Sequence, residues 1–324
     1  MRSKKEVRIA SSAETIAIAG AGNIGTAWAI VFALSGHSVT LHDQDSSREA
    51  VAQTDIRQRL TDMAHIMGLV EDVETIASRI RFQPRLADAV ASASIVFECI
   101  LEDIVAKRKL LAELETLVGP NTIIASSSSF IAASEWAQGS SLASRCLVLH
   151  PGNPPYLVRV VEVVPSPLTD DTVVERSEHL MLQAGMAPIR VHKEVEGFVF
   201  NRLQGALLRE AYALVRDGVT SATEIDQLVR DGLGLRWSVV GPFETVDLNT
   251  RGGIAVHAQR MLPAYRRMGE ERGEAMPAWT PDTIAKVVEE RRSALPLNHW
   301  NERVLWRDRE LMALLNHRAH QKPD

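Results

Sequence analysis

Cysteine is scarce in this sequence, and long apolar runs are absent. Two cysteines occur among 324 residues, Cys99 and Cys146, and both lie in apolar, strand-like runs. This placement favours reduced, buried thiols over a disulfide framework. No apolar run reaches the ~18 residues that a membrane-spanning helix needs, and no apolar segment follows the basic residues 1–12 as it would in a signal peptide. We therefore expect a cytoplasmic protein without a membrane partner.

Positive charge is not in excess either. The formal net charge is −5, with 36 Lys and Arg against 41 Asp and Glu. Nucleic-acid-binding domains present a basic face, so this balance argues against a nucleic-acid partner. Histidine occurs 10 times, and outside position 150 the histidines show no spacing typical of metal ligands. We therefore expect no metal site.

Strand-like and helix-like segments alternate through the first part of the chain. β-Branched and leucine-rich stretches predict strands over 15–20, 38–43, 93–100, 121–129, 146–151, 158–164 and 188–192. Composition and helical spacing predict helices over 24–36, 46–68, 71–79 and 103–118. Strands that alternate with helices through short links are typical of a mostly parallel, doubly wound sheet. We therefore predict an α/β domain over residues 1–195.

The second part of the chain has a different pattern, in which only helices and loops are indicated. Residues 197–218 carry apolar side chains on one helical face, and Gly218 is suited to ending that helix. Residues 221–224 have the spacing of a capping box, which opens another helix. A last helix is predicted over roughly 299–316. We predict an all-helical domain over 196–324, whose surplus apolar faces could form a dimer surface.

A glycine pattern follows the first predicted strand and opens the first predicted helix. Gly20, Gly22 and Gly25 form the spacing G-x-G-x-x-G. The first glycine permits a tight turn, the second lets the backbone approach a pyrophosphate, and the third lets the helix pack close to the sheet. Phosphates would lie at the helix N-terminus, where free N–H groups favour anions. This context predicts a Rossmann-type dinucleotide site.

An acidic residue at the end of the second predicted strand bears on the choice of dinucleotide. Asp43 lies 23 residues after Gly20, where a carboxylate can bind the ribose hydroxyls and repel a 2′-phosphate. The pattern therefore favours NAD over NADP, although Arg48 keeps NADP open and Asp43 could also be a simple turn residue. Asn23 and Ile24 complete the cofactor-binding residues, in the first turn of the helix.

Two ionisable residues stand in apolar strands near the middle of the chain. His150 follows a strand of the parallel series, at the carboxyl end where ligands bind in such sheets. Glu162 interrupts a run of valines, and a carboxylate there is costly to bury unless it is paired. A pair would fix the tautomer of the imidazole and raise its basicity. The alternatives are a structural histidine and an edge strand with Glu162 facing water.

Two further polar features lie close to these strands in the predicted fold. Ser126–Ser129 form a serine run just past a predicted strand, where hydroxyls can either line a loop or meet a ligand. Asn201 lies on the apolar-rich helix that opens the second part, and a buried amide needs a partner. That partner could be a ligand or a neighbouring backbone group.

With these residues in place, the sequence resembles the 3-hydroxyacyl-CoA dehydrogenase family, and within it the lambda-crystallin branch. The resemblance runs from about residue 15 to about residue 255 and more loosely to the C-terminus. Six blocks in the family order carry it: GAGNIG, FECILEDIVAKRKLLAEL, SSSSF, HPGNPPYLVRVVEVVP, GFVFNRLQ and DGLGLRWSVVGPFETVDLN. The resemblance implies an NAD-dependent dehydrogenase that acts as a dimer, with the substrate between a Rossmann-type half and a helical half.

The resemblance also assigns roles to residues. The family's histidine–glutamate pair matches His150 and Glu162, and its serine and asparagine fall on Ser129 and Asn201. These four are the expected catalytic residues, and Ser129 and Asn201 are also expected to bind substrate.

Two charged positions and the departures from the acyl-CoA enzymes complete this interpretation. The family's acidic and basic positions near cofactor and substrate fall on Glu102 and Lys107.

HPGNPP stands where acyl-CoA enzymes commonly have HFFNP, and those enzymes lack the GLRW segment. Both differences point to a free 3-hydroxy acid, with L-gulonate as the expected substrate and Arg236 as the candidate ligand of its carboxylate. Arg236 could instead form a surface or dimer salt bridge. A 3-hydroxyacyl-CoA or carnitine dehydrogenase and a crystallin-like, NAD-binding structural protein remain alternatives.

Overall fold

An eight-stranded sheet forms the centre of the first part of the chain. Its strands are β1 (Ile16–Ala19), β2 (Val39–His42), β3 (Ile80–Phe82), β4 (Ile95–Glu98), β5 (Ile123–Ser126), β6 (Cys146–Pro151), β7 (Val160–Pro165) and β8 (Ala187–Arg190). Their order in the sheet is β3-β2-β1-β4-β5-β6-β7-β8. Strands β1 to β6 are parallel, β7 runs antiparallel to β6, and β8 is parallel to β7. The prediction of a mostly parallel, doubly wound sheet is confirmed.

This structure is a computed structural model, and it describes most of the chain. The described residues are 14–238, 241–243, 245, 253–273, 282, 293, 296–299, 302, 305, 306, 309, 312, 313, 316 and 317. Most of the predicted helix over 299–316 lies outside them. Among the described residues, no helix is both long and apolar enough to cross a membrane.

Helices cover both faces of the sheet. They are α1 (Asn23–Leu34), α2 (Arg48–Met67), α3 (Val73–Ser78), α4 (Leu86–Val90), α5 (Ile104–Leu114), α6 (Ala133–Ala137) and α7 (Asp171–Gln183). Successive strand residues point to opposite faces, so Ile16 and Ile18 pack in one core while Ala17 packs in the other. Because both faces are covered, the strands read as continuous apolar runs, and a polar residue inside one needs a partner.

The second part of the chain is helical in its described residues. It contains α8 (Phe200–Arg216), α9 (Ala222–Leu228), a π-helical turn (Val229–Leu233), α10 (Gly234–Trp237) and α11 (Gly253–Glu271). The predicted capping box is present: Ser221 Oγ accepts a hydrogen bond from the Glu224 N–H, and the Glu224 carboxylate accepts one from the Ser221 N–H. This reciprocal pair satisfies two helix N-terminal donors and sets where α9 begins.

The chain divides into two compact units. The first comprises residues 1–202 and 305–324, and the second comprises residues 203–304. The end of the chain belongs to the first unit because Met312 is buried in the sheet's core and Asn316 donates a hydrogen bond to the Ile66 carbonyl of α2. Residues 196–202 lie in the first unit of this division, and the predicted domain boundary after residue 195 stays a prediction.

Candidate functional site

The glycine loop between β1 and α1 is built so tightly that two of its positions have no room for a side chain. Gly20 has φ +109°, and a Cβ atom there would lie 2.4 Å from the carbonyl oxygen of Cys99. A Cβ at Gly25 would lie 1.9 Å from the carbonyl oxygen of Gly20. A Cβ at Gly22, in contrast, would meet nothing within 4 Å. The open space at Gly22, next to the free N–H groups of α1, fits a pyrophosphate.

Substitutions at Gly20 and Gly22 should therefore affect different properties, the first stability and the second NAD binding. Gly20→Ala forces a side chain into the backbone of Cys99, just after β4, at a positive φ, and we expect it to lower the free energy of unfolding by about 2 kcal/mol or more. Gly22→Ala should change stability by less than about 0.5 kcal/mol but weaken NAD binding about tenfold, because its methyl occupies the open space. Thermal unfolding and NADH fluorescence titration measure the two effects. Equal NAD affinity in Gly22→Ala and wild type would remove this loop from the cofactor site.

A cleft of about 600 Å³ lies at the carboxyl ends of β1, β2 and β4. Gly20, Gly22 and Asp43 line it, and so does Arg48. Asp43 is held in place by main-chain donors, because its two carboxylate oxygens accept hydrogen bonds from the N–H groups of Ala21 (2.8 Å) and Asp45 (2.9 Å). The carboxylate is thus fixed beside the glycine loop. The other predicted cofactor residues of this region, residues 23–25, form the first turn of α1.

The antiparallel pairing of β6 and β7 brings His150 and Glu162 together. The two residues stand directly opposite one another in the register, and His150 Nδ1 lies 2.8 Å from Glu162 Oε2. Both side chains are buried, and β7 lies between β6 and β8, so Glu162 neither occupies an edge strand nor faces water. Because a carboxylate only accepts, Nδ1 carries the proton and Nε2 is left as the basic nitrogen.

The second oxygen of Glu162 is held by the start of α8. Oε1 accepts hydrogen bonds from the N–H groups of Val199 (2.7 Å) and Phe200 (3.0 Å). Together with the imidazole, these donors supply three hydrogen bonds to one buried carboxylate. Donors of this kind, near the positive end of a helix, stabilise the ionised carboxylate.

Ser129 and Asn201 also meet, but through the main chain of the serine. Asn201 Nδ2 donates a hydrogen bond of 3.0 Å to the carbonyl oxygen of Ser129. The N–H of Ser129 donates to Glu102 Oε1, which also accepts from Ser128 Oγ and the Phe130 N–H. Residues 126–131, which we call the serine loop, are therefore tied both to Glu102 and to the first turn of α8. The Ser129 hydroxyl has no part in these bonds.

The charge of Glu102 is set by these donors. Burial raises the pKa of Glu102, but hydrogen bonds from Ser128 and Phe130 and the nearby Lys107 outweigh it and hold that pKa below its usual range. A carboxylate with a lowered pKa stabilises the folded state above its unfolded pKa, and this contribution is lost as pH falls through the lower, folded value. The ties of the serine loop to Glu102 should therefore persist through neutral pH and weaken only in acid.

A buried ion pair that the sequence interpretation missed lies beneath the serine loop. Lys107 Nζ is 2.8 Å from Glu98 Oε2 and 3.4 Å from Glu102 Oε2, and the Lys107 side chain is 2% exposed. Ser126 Oγ also donates to Glu98. Among the residues that line the cleft, neither Lys107 nor Glu102 is present, so their direct contact with cofactor stays a prediction. The signal for Glu98 was a single acid inside an apolar strand, the same signal that singled out Glu162.

Removal of Lys107 should therefore destabilise the protein strongly. Lys107→Met leaves the Glu98 carboxylate buried without its cation, and we expect the free energy of unfolding to fall by about 3–5 kcal/mol. Lys109→Met, on the exposed side of the same helix, should change it by less than about 0.5 kcal/mol. Urea unfolding measures both. In the double variant Glu98→Gln/Lys107→Met part of the loss should return, and a Lys107→Met variant as stable as wild type contradicts the pairing.

The remaining predicted residues are less informative. Burial raises the pKa of Cys99 and of Cys146 to about 12, so both stay protonated at neutral pH. Among the described residues, no cluster of potential ligands could hold a metal ion. Arg236 lies in α10 of the second unit with an exposed side chain, and its role as a carboxylate ligand stays a prediction.

Two family models match successive parts of the chain. The model described as 3-hydroxyacyl-CoA dehydrogenase, NAD binding domain, matches residues 15–195, and the model described as 3-hydroxyacyl-CoA dehydrogenase, C-terminal domain, matches residues 197–293. The first of these includes the glycine loop and the His150–Glu162 pair.

Individual proteins are similar over comparable lengths. The human lambda-crystallin homolog is 35% identical over 317 residues, which are 97% of this chain and 99% of that protein. The L-carnitine dehydrogenase/betainyl-CoA thioesterase of Agrobacterium fabrum is 35% identical over 71% of this chain and 46% of that protein. The crystal structure of (S)-3-hydroxybutyryl-CoA dehydrogenase from Ralstonia eutropha is 28% identical, with a TM-score of 0.65 over 87% of this chain and 94% of that chain.

Proposed function

Because this chain belongs to the 3-hydroxyacyl-CoA dehydrogenase family and is an NAD-dependent oxidoreductase that acts on CH–OH groups, we propose that it oxidises the 3-hydroxyl of a free 3-hydroxy acid. The substrate that we favour is L-gulonate, with 3-dehydro-L-gulonate as the product. The buried His150–Glu162 pair carries the proposal, because it offers a general base whose orientation and charge partner are already in place. HPGNPP in place of HFFNP and the GLRW segment support a free acid over a CoA thioester.

The proton of the 3-hydroxyl goes to His150 in this proposal. NAD, held by the glycine loop and Asp43, would supply the acceptor for the hydride from C3. His150 Nε2 takes the hydroxyl proton, and Glu162 stabilises the imidazolium that forms. General-base assistance of this kind contributes about 10²–10⁴-fold to the rate.

Ser129 and Asn201 are proposed to bind the oxygen on C3. That oxygen gains negative charge in the direction of ketone reduction, so donors aimed at it lower the barrier. Asn201 donates one N–H to the Ser129 carbonyl oxygen. This bond orients the amide and leaves a second N–H for the substrate. The Ser129 hydroxyl supplies the other donor.

Arg236 is proposed to bind the substrate carboxylate through its planar, two-pronged guanidinium. Arg236→Ala should then raise KM for the hydroxy acid at least tenfold, roughly the cost of one charge-assisted contact, with little change in KM for NAD. Initial rates of NADH formation at varied acid and varied NAD separate the two constants. An unchanged KM for the acid removes Arg236 from the substrate site.

A substrate panel tests the activity itself. NADH or NADPH formation is followed with L-gulonate, 3-hydroxybutyryl-CoA and carnitine, each with NAD and with NADP. We expect the highest kcat/KM for L-gulonate with NAD. A higher value for carnitine, which the similarity to carnitine dehydrogenases makes the second candidate, or for the CoA thioester would overturn the choice of substrate. NADH binding without turnover of any of the three would favour a crystallin-like structural role.

We also propose a cytoplasmic homodimer that associates through the helical part of the chain. Leu203 and Leu207 are exposed apolar side chains on α8, in the second unit. Sedimentation equilibrium, which measures mass in solution, tests the dimer, and a monomer mass would contradict it.

A further inference from the structure

The turn that precedes α8 has an unusual backbone conformation. Gly197 has φ +74° and Phe198 has φ +48°, and Phe198 is the one non-glycine residue with positive φ among the described residues. Side chains with a Cβ atom seldom adopt this region, because the Cβ crowds the neighbouring carbonyl. Such outliers persist where the surrounding structure holds them, often at functional sites.

This turn directs two consecutive N–H groups at one atom. The N–H groups of Val199 and Phe200 both reach Glu162 Oε1, at 2.7 and 3.0 Å. Successive N–H groups can converge on one acceptor at a turn or at the start of a helix, and a left-handed residue beside right-handed ones forms a concave anion site of this kind. The conformation of Phe198, directly before these donors, sets the direction of the chain so that both N–H groups point at Glu162.

The ring of Phe198 holds the turn and also touches the histidine. It is fully buried in the core with Val148, Val164 and Val191. Its centroid lies 5.7 Å from that of the His150 ring, at an interplanar angle of 53°. Burial of the ring thus offsets the cost of the left-handed backbone, and the same ring covers one side of the imidazole.

We propose that Phe198 is a positioning residue for the proton-accepting pair: its left-handed backbone conformation directs two N–H groups at Glu162 and so holds the Glu162 carboxylate on His150. The inference rests on the proposed role of His150 as the general base. With Oε1 fastened to α8, Oε2 stays on His150 Nδ1, and Nε2 keeps its lone pair for the substrate proton. Among the described residues, Glu162 is the charged side chain in contact with the imidazole, and the ring contacts are Phe198 and Phe200.

Two substitutions of the same residue separate the backbone from the ring. Phe198→Ala and Phe198→Gly both remove the ring, but glycine adopts positive φ freely and alanine does not. We expect Phe198→Ala to move the acid limb of kcat/KM to lower pH, because the imidazolium loses its fixed carboxylate, and to lower kcat about tenfold. Phe198→Gly should keep the wild-type titration. Both should bind NADH as tightly as wild type.

The pKa of His150 is read by histidine NMR, with His150→Gln to assign the resonance, and by the acid limb of kcat/KM for oxidation. Gly197→Ala is the second test, because it strains the turn while leaving the core intact, and it should shift the pKa as Phe198→Ala does. Val164→Ala is the matched core control, which should lower the melting temperature without moving the pKa.

Each outcome decides the inference. It is overturned if Phe198→Ala and Phe198→Gly titrate alike, if Gly197→Ala leaves the His150 pKa unchanged, or if Val164→Ala shifts it equally. Should Phe198→Ala fail to fold, the comparison of Gly197→Ala with Val164→Ala tests the inference in the same way. The NMR titration needs no turnover, so inactivity towards every 3-hydroxy acid would overturn the proposed function and leave this inference tested on its own.

Discussion

His150→Gln should bind NADH with near-normal affinity and lose hydroxy-acid oxidation by about 10²–10⁴-fold. Glutamine can occupy the imidazole site and hydrogen-bond to Glu162, but it has no nitrogen lone pair that accepts a proton at neutral pH. The cofactor cleft at the ends of β1, β2 and β4 is lined by other residues, so cofactor affinity should not change. The measurement is kcat/KM for the acid together with the dissociation constant of NADH.

The chain contains a second histidine–glutamate pair that serves as the matched control. His299 Nδ1 lies 3.0 Å from Glu302 Oε2, and both side chains are exposed. His299→Gln removes the same chemical group from an exposed pair and should leave kcat/KM within twofold of wild type, as is usual for surface substitutions. If His150→Gln retains comparable turnover, the assignment of the general base is wrong.

Glu162→Gln should be almost as damaging, about 10³-fold in kcat, although it changes a single atom. The N–H groups of Val199 and Phe200 require an acceptor, so the Gln oxygen faces them and its NH₂ faces His150. Nδ1 must then accept, the proton moves to Nε2, and the nitrogen that should take the substrate proton is blocked. A tautomer change of this kind also accounts for the large effect of the equivalent acid-to-amide substitution in the Ser-His-Asp catalytic triad.

The tautomer itself can be observed. The ¹⁵N chemical shifts of His150 should report a proton on Nδ1 in the wild type and on Nε2 in Glu162→Gln. In Glu162→Gln the proton on Nε2 belongs to the neutral imidazole. Raising the pH does not remove it and should not restore kcat. Glu302→Gln, in the exposed pair, should leave kcat unchanged. Restoration of wild-type kcat at high pH would show that only charge was lost and would contradict the tautomer argument.

The sequence predicted most of the sheet because both faces are covered. The seven strands other than β3 lie within or very near the predicted segments. The strands in the interior of the sheet are mostly apolar because both of their faces are buried. The exception is β3, Ile80–Phe82, which is three residues long at the edge of the sheet and only half-buried. A short edge strand lacks an apolar run, and its pairing with β2 decides its conformation.

The site was partly predictable for a similar reason. The glycine loop depends on close approach of neighbouring segments, so it leaves its own pattern in the sequence, as does Asp43 at a strand end. Glu98 carried the same signal as Glu162, an acid inside an apolar strand, but its partner Lys107 lies on a helix. The role of Ser129 as a main-chain acceptor left no signal, because any residue has a carbonyl.

The sequence by itself determined the alternation of strands and helices, the dinucleotide loop and the candidate histidine and acid, because each follows from local spacing and burial. The tertiary structure decided the partners. Register in the β6–β7 pair sets His150 opposite Glu162, and the left-handed turn at Phe198 aims the start of α8 at a carboxylate 37 residues earlier than Val199. Contacts between residues far apart in the chain depend on how whole elements pack, since a one-residue shift in register would turn the side chains to the opposite face.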